Sequence, residues 1–277
     1  DDTLAGGSGS DAIMGGDGSD LIAGGDGSDV LDGGFGSDVL DGGFGDDTLY
    51  GGDGLDRAVF EVGVSQYEFG VSGDGRLTVL GPDGLDTIDG VETLSFSDGD
   101  VQVLREEGGH YTLIGDDVGA TLRVMSGEPA SFTLWGGFGD DTLAGGSGSD
   151  AIMGGDGSDL VEGKDGDDLI FGGLGDDTIM GGDGSDRAVF AGSVADYSFG
   201  VSGSVLQVNG PDGGDTLEGI ETLVFDDTEI SVALTGAQFT LEGGTGGDTI
   251  TVADGQPGFR LEGSGGDDFL RVGDMPL

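Results

Sequence analysis

A nine-residue unit, GGxGxDxUx with U a large aliphatic residue, runs six times in succession from Gly6 and six times again from Gly136. The first block reads GGSGSDAIM, GGDGSDLIA, GGDGSDVLD, GGFGSDVLD, GGFGDDTLY and GGDGLDRAV. The second reads GGFGDDTLA, GGSGSDAIM, GGDGSDLVE, GKDGDDLIF, GGLGDDTIM and GGDGSDRAV. A fixed period constrains the fold more than local propensity does, because each unit has meaning only when stacked on its neighbours. The eighth position holds Ile13, Ile22, Leu31, Leu40 and Leu49, then Leu143, Ile152, Val161, Ile170 and Ile179. That register separates the chain from a disordered polar linker, in which no aliphatic side chain would return every ninth residue.

Composition narrows the partners. Glycine is 66 of 277 residues, and it follows the nonapeptide rather than a collagen triplet. The net charge is −48, which repels nucleic acid and anionic membrane surfaces and favours a cation or a basic partner. There is no cysteine, so disulfides and thiolate metal sites are excluded. No apolar run approaches the roughly 20 residues that span a bilayer, so no membrane insertion is expected. The chain opens DDTLAGG, with no secretory signal visible there.

Within a unit, positions 1 to 6 must turn tightly, and glycine supplies the backbone angles and lets carbonyl oxygens converge. Positions 7 to 9 read as a short strand whose central aliphatic side chain points inward. Calcium is a hard cation wanting about six to eight oxygens, and turn carbonyls with Asp carboxylates suit it. The pattern resembles the RTX (repeats-in-toxin) calcium-binding nonapeptide. The resemblance implies a parallel β-roll in which two successive units make one coil, so turns alternate between two edges. It also implies calcium between the stacked turns of units i and i+2, held by carbonyls of positions 1 to 4 and by both position-6 Asp side chains.

By that resemblance Asp11, Asp29 and Asp47 line one edge of the first block, and Asp2, Asp20, Asp38 and Asp56 the other. In the second block the edges are Asp141, Asp159, Asp177 and Asp150, Asp168, Asp186. The glycines expected around these sites are Gly7, Gly9, Gly16, Gly18, Gly25, Gly27, Gly34, Gly36, Gly43, Gly45, Gly52 and Gly54 in the first block. In the second they are Gly137, Gly139, Gly146, Gly148, Gly155, Gly157, Gly166, Gly173, Gly175, Gly182 and Gly184. Roughly nine intra-block calcium sites follow. Lys164 replaces the second glycine of its unit, and its ammonium and larger side chain put that interval in question. Without calcium the expected state is disorder, since the carboxylates repel and one aliphatic residue in nine makes a thin core.

Six segments are expected: a roll at 1–56, a β-rich module at 57–103, a connecting segment at 104–135, a second roll at 136–186, a second module at 187–233, and 234–277, which ends in the start of a third repeat. Period-2 alternation and the turn signals SGDG, GPDG and GPDGGD mark the modules as short strands. Their aromatics, including Phe60, Tyr67, Phe69 and Phe96, read as core and coil-capping residues. Asp86, Glu92, Asp215 and Glu221 read as solvated or turn-capping acids rather than further calcium ligands. Residues 1–21 and 140–160 are identical, so the two copies should share one fold. The expected fold is all-β: two right-handed parallel β-rolls, each followed by a β-rich module, in one elongated solenoid.

Catalysis finds no constellation. His110 is the only histidine, expected in a surface loop, and there is no HExxH or second imidazole. Paired acids such as Asp46–Asp47 recur with the nonapeptide, which a calcium turn explains better than glycosidase chemistry. An ice-binding array is disfavoured, because position 3 carries Asp, Ser or Phe rather than a row of Thr. The expected role is non-enzymatic: a calcium-folded structural stretch of a secreted or cell-surface bacterial protein, such as an adhesin stalk, surface-layer protein or filament. The alternative is the secretion and folding half of an RTX protease or lipase; tandem copies suit extension better. Extracellular modules of this kind bind calcium at on the order of 10⁻⁴–10⁻³ M, so folding is expected after export. Type I secretion is implied by the resemblance, with a faint C-terminal signal in GDMPL. Expected partners are calcium ions, with head-to-tail self-association or neighbouring domains of a longer chain beside them.

Overall fold

The structure, a computed structural model, describes residues 1–106, 109–116, 119–236, 238–253 and 258–272. The GDMPL ending lies outside the described residues. The position-8 side chains build the core. Each nonapeptide strand lies parallel on the strand 18 residues later, so Ile22 sits opposite Leu40 and Leu31 opposite Leu49. Val161 and Ile179 repeat this in the second block. Ile22, Leu31, Leu40, Leu49, Ile152, Val161, Ile170 and Ile179 are all buried. Burying such a side chain contributes about 1.5–3 kcal/mol, so the row forms a continuous apolar spine between two sheets.

The strands are longer than the motif suggests. Ala12–Asp17, Leu21–Asp26 and Val30–Phe35 each run six residues, from position 7 through position 3 of the next unit. Glycines without side chains let neighbouring backbones keep strand spacing there, as in the pair Gly16 and Gly34. The turn proper is thus confined to positions 4 to 6.

A parallel β-solenoid results. One 15-stranded sheet runs from Thr3–Ser8 through both blocks to Phe259–Glu262. The opposite face is built by a six-stranded sheet in the first copy and a nine-stranded sheet in the second. These two meet through a parallel bridge between Phe69 and Val124. Among the described residues no helix is long and apolar enough to cross a membrane.

The modules do not leave the stack. Strand Glu68–Val71 pairs antiparallel with Leu77–Leu80, and that strand pairs antiparallel with Leu85–Asp89. Leu85–Asp89 then returns to lie parallel on Thr48–Asp53, with Ile88 opposite Leu49. Thr93–Phe96 likewise lies parallel on Arg57–Val59, with Leu94 opposite Ala58. The expected aromatic core forms around Phe60, Tyr67 and Phe96, whose ring centroids are 5.0–5.1 Å apart. Phe190, Tyr197 and Phe225 repeat it at 5.0–5.5 Å. Such contacts fill the wider cross-section that the hairpin creates.

Candidate metal centres

Each position-6 Asp closes a turn and precedes a strand, so the 18-residue register stacks these carboxylates in columns. One oxygen of each holds the stack together. Oδ1 accepts the backbone N–H of the position-6 Asp one coil earlier: Asp11 to Asp29 at 2.8 Å, Asp20 to Asp38 at 2.7 Å, Asp29 to Asp47 at 2.7 Å and Asp38 to Asp56 at 2.8 Å. The second block repeats this from Asp141 to Asp159 and Asp177, and from Asp150 to Asp168 and Asp186, at 2.8–2.9 Å. Exposed Asp2 donates its N–H to Asp20 in the same way.

The other oxygen is left over. Oδ2 of Asp11, Asp20, Asp29, Asp38, Asp47, Asp56, Asp141, Asp159, Asp168, Asp177 and Asp186 is buried without a hydrogen-bond partner. A buried, unsatisfied carboxylate oxygen costs more than the roughly 1–3 kcal/mol of a neutral polar group. A column of them calls for neutralisation, by a cation where the carboxylates are ionised or by protons at lower pH. The residues therefore fit calcium. Among the described residues no three His, Cys, Asp or Glu side chains converge. Each interval thus offers two carboxylates, and the remaining oxygens of a six- to eight-fold shell would be turn carbonyls.

Glycine makes those carbonyls available. A Cβ at position-1 Gly24 would collide with both Asp29 Oδ2 and the Gly42 carbonyl, and the same clash recurs at Gly6, Gly15 and Gly33. Position 1, whose carbonyl the resemblance includes among the ligands although its glycines were not named as site residues, is where carboxylate and carbonyl converge. The predicted glycines at positions 2 and 4 hold left-handed backbone, for example Gly25 at φ 112° and Gly27 at φ 124°, directly over the carbonyls of Gly7 and Gly9. The exceptions are Gly146 and Gly148, which leave that region, and Lys164, which occupies it at φ 77°.

These three exceptions share one interval. Asp150 Oδ1 accepts from Phe132 N at 2.7 Å, and its Oδ2 accepts from Gly146 N at 2.8 Å. Lys164 Nζ donates to the Val124 carbonyl at 3.2 Å. Asp150 is thus the one fully buried member of the predicted set whose second oxygen is satisfied by the chain itself.

The electrostatics agree. Burial, then the neighbouring carboxylates Asp150, Asp186 and Asp167, push Asp168 up to about 7 against a backbone hydrogen bond that lowers it. Burial also raises Asp141, Asp177 and Asp186 to about 6. Asp150 is raised by burial too, but backbone hydrogen bonds from Phe132 and Gly146, with His110 and Lys164 nearby, hold it down. His110 is half-buried rather than free in a surface loop, with Nε2 2.8 Å from Thr133 Oγ1.

The RTX calcium-binding nonapeptide repeat model matches four segments, 1–31, 23–58, 133–161 and 153–188. No curated protein matches the chain. Among solved structures, the extracellular lipase LipA from Serratia marcescens aligns at 23% identity and a TM-score of 0.31, covering 79% of this chain and 38% of that one. The chain thus spans well under half the length of that lipase. Residues 1–58 and 133–188 thus match the RTX calcium-binding nonapeptide repeat, and the 18-residue parallel register and stacked position-6 carboxylates there fit an RTX β-roll.

Proposed function

We propose that this chain is the calcium-binding structural repeat region of a secreted or cell-surface protein, and that it folds on calcium after export. The observation that carries the reading is the column of buried, unpaired Oδ2 atoms at 18-residue spacing. When bound, calcium supplies the positive charge and the extra oxygen bonds that this column lacks. The chain's residues do the rest. Oδ1 of each Asp fixes the distance between coils, position-1 glycines leave room for converging oxygens, and the aliphatic spine excludes water. The unbroken 15-stranded sheet supports an extension role, because load passes along one ladder through both copies. The roll acids are engaged in the ladder, and the single histidine is bonded to Thr133, so a catalytic role is not proposed.

Since calcium binds the folded roll and scarcely the unfolded chain, its binding free energy becomes folding free energy. Circular dichroism and small-angle scattering of metal-free protein should give an expanded, disordered chain. Millimolar calcium should restore β structure cooperatively, and magnesium should do so poorly, because it keeps its waters. A compact β-rich chain at neutral pH without metal would refute the proposal.

A further inference from the structure

The sequence leaves the last turn on each edge of a block without a successor, because the last nonapeptides, with position-6 Asp56 and Asp186, end at Val59 and Val189. The structure supplies successors from the modules. GPDGLDTID at 81–89 takes the next place on one edge of the first roll. Thr87 lies opposite Thr48, and Gly84 is left-handed at φ 149° above the Gly45 carbonyl. Gly45 N donates to the Asp83 carbonyl at 2.7 Å, as Gly27 N does to the Phe44 carbonyl. Asp47 N donates to Asp86 Oδ1 at 2.9 Å, the bond that joins every earlier pair of turns. Asp86 is therefore a position-6 acid, buried, in a unit that carries Pro82 where the repeat has glycine.

The other edge ends differently. Thr87 lies opposite Thr48 and Thr93 opposite Arg57, so six residues here span what nine span in the roll, and Gly90, Val91 and Glu92 stand in place of positions 1 to 6. A longer acid spans the gap: Glu92 Oε2 accepts from Asp56 N at 2.8 Å, where Asp56 Oδ1 accepts from Asp38 N at 2.8 Å. A Cβ on Gly51 would collide with the Gly90 carbonyl and Asp56 Oδ2, the same pair of oxygens found inside the blocks. The second copy repeats both endings. Asp177 N donates to Asp215 Oδ1 and Asp186 N to Glu221 Oε2, each at 2.9 Å. A Cβ on Gly181 would meet Asp186 Oδ2 and the Gly219 carbonyl.

We propose that the calcium ladder continues past each nonapeptide block into its module, through four further sites completed by Asp86, Glu92, Asp215 and Glu221. An independent observation points to a cation at each. Asp47, Asp56, Asp177 and Asp186 are at most 2% exposed, and Oδ2 of each is buried without a partner; beside Asp56 and Asp186 it converges with the added turn's Gly90 and Gly219 carbonyls. Beside the Pro-containing turns a further carboxylate oxygen is also unpaired, Oδ1 of Asp83 and of Asp212, while Oδ2 accepts from Tyr67 and Tyr197 at 2.7 and 2.6 Å. The ladder therefore ties roll to module, so both should order at the same calcium step. The inference rests on the calcium reading of the blocks.

The test is calcium stoichiometry of the full chain by equilibrium dialysis, comparing the unaltered protein with Asp86→Asn/Asp215→Asn and Glu92→Gln/Glu221→Gln. The amides keep the acceptor for the backbone N–H and remove the charge. Each double variant should bind two fewer calcium ions and keep the β-rich spectrum in saturating calcium. Unchanged stoichiometry overturns the inference; an unaltered chain that binds no calcium overturns the underlying reading instead. A variant that does not fold is replaced by terbium bound to the folded parent, excited through tyrosine. Tyr67→Phe/Tyr197→Phe should remove most of the sensitised emission, and undiminished emission would overturn the sites at the Pro-containing turns.

Discussion

The nonapeptide GGSGSDAIM occurs twice, at 6–14 and at 145–153, and the two copies fold differently. In the first, Gly7 and Gly9 are left-handed at φ 107° and 106°, and Asp11 Oδ2 has no partner. In the second, Gly146 and Gly148 are not left-handed, and Asp150 Oδ2 takes the Gly146 N–H. Identical residues cannot be the cause, so the neighbours must be. Beneath the second turn lies Glu128, whose carbonyl accepts from Ser147 N at 2.8 Å and Ser147 Oγ at 3.1 Å. Above it stands Lys164, reaching down to the Val124 carbonyl. The turn is pulled toward the connecting segment and closes on its own aspartate. On the proposed calcium reading, an open carboxylate oxygen therefore depends on a pair of stacked turns rather than on the motif within one turn.

The sharpest way to break this comparison is to remove the acid from each kind of turn. Asp29→Ala takes a carboxylate from the middle of an unpaired column. It should lower calcium stoichiometry and raise the calcium midpoint of folding several-fold, read by calorimetry and circular dichroism. Asp150→Ala should leave stoichiometry unchanged. It would instead strand the buried N–H groups of Phe132 and Gly146, costing about 1–3 kcal/mol each in calcium-saturated denaturant melts. Equal calcium loss in both variants would mean that the two turns bind alike.

The comparison also marks where sequence reading succeeds. The 18-residue register, the aliphatic spine and the stacking of Asp11, Asp29 and Asp47 were all legible, because one period sets all three. The closure of Asp150 was not, since it depends on Glu128 and Val124, which carry no repeat signal. Lys164 was the visible warning. The units GPDGLDTID and GPDGGDTLE were read only as turns, because proline at position 2 hides the period although Gly84, Asp86 and Ile88 keep it. Glu92 and Glu221 were hidden further, since a shortened turn changes both spacing and acid. Asp86 and Asp215 are buried rather than solvated, and they cap the stacked turns by accepting the Asp47 and Asp177 N–H.

A smaller effect should follow pH. Burial raises Asp168 to about 7 and Asp141, Asp177 and Asp186 to about 6 in the metal-free fold. A carboxyl raised in the folded state favours the protonated fold. Its contribution is therefore greatest below the unfolded value near 3.8 and is lost as pH rises toward 6–7. Metal-free protein should accordingly gain β structure when acidified from pH 7 to about 4. Over the same range protons compete with calcium, so the calcium midpoint should rise as pH falls. A metal-free chain equally disordered at both pH values would show that the raised carboxyls do not limit folding.

The smallest expected effect is also the most discriminating, and it concerns Lys164. At φ 77° it occupies backbone that glycine adopts freely and that costs other residues about 1 kcal/mol or more. Its ammonium offsets that cost by binding the Val124 carbonyl and by standing close enough to lower Asp150 electrostatically. Lys164→Gly restores the repeat consensus, removes the backbone strain and takes away the one ammonium beside the Asp150–Asp168 interval. If the lysine is what holds that interval closed, the variant should bind one more calcium ion than its parent. It should be more stable in saturating calcium by about 1 kcal/mol. At limiting calcium the gain should shrink, because the Val124 carbonyl then has one donor fewer and Asp150 has lost a compensating charge. If stoichiometry does not rise, the turn at 145–150 is set by Glu128 beneath it, and the comparison narrows to that single stacking contact.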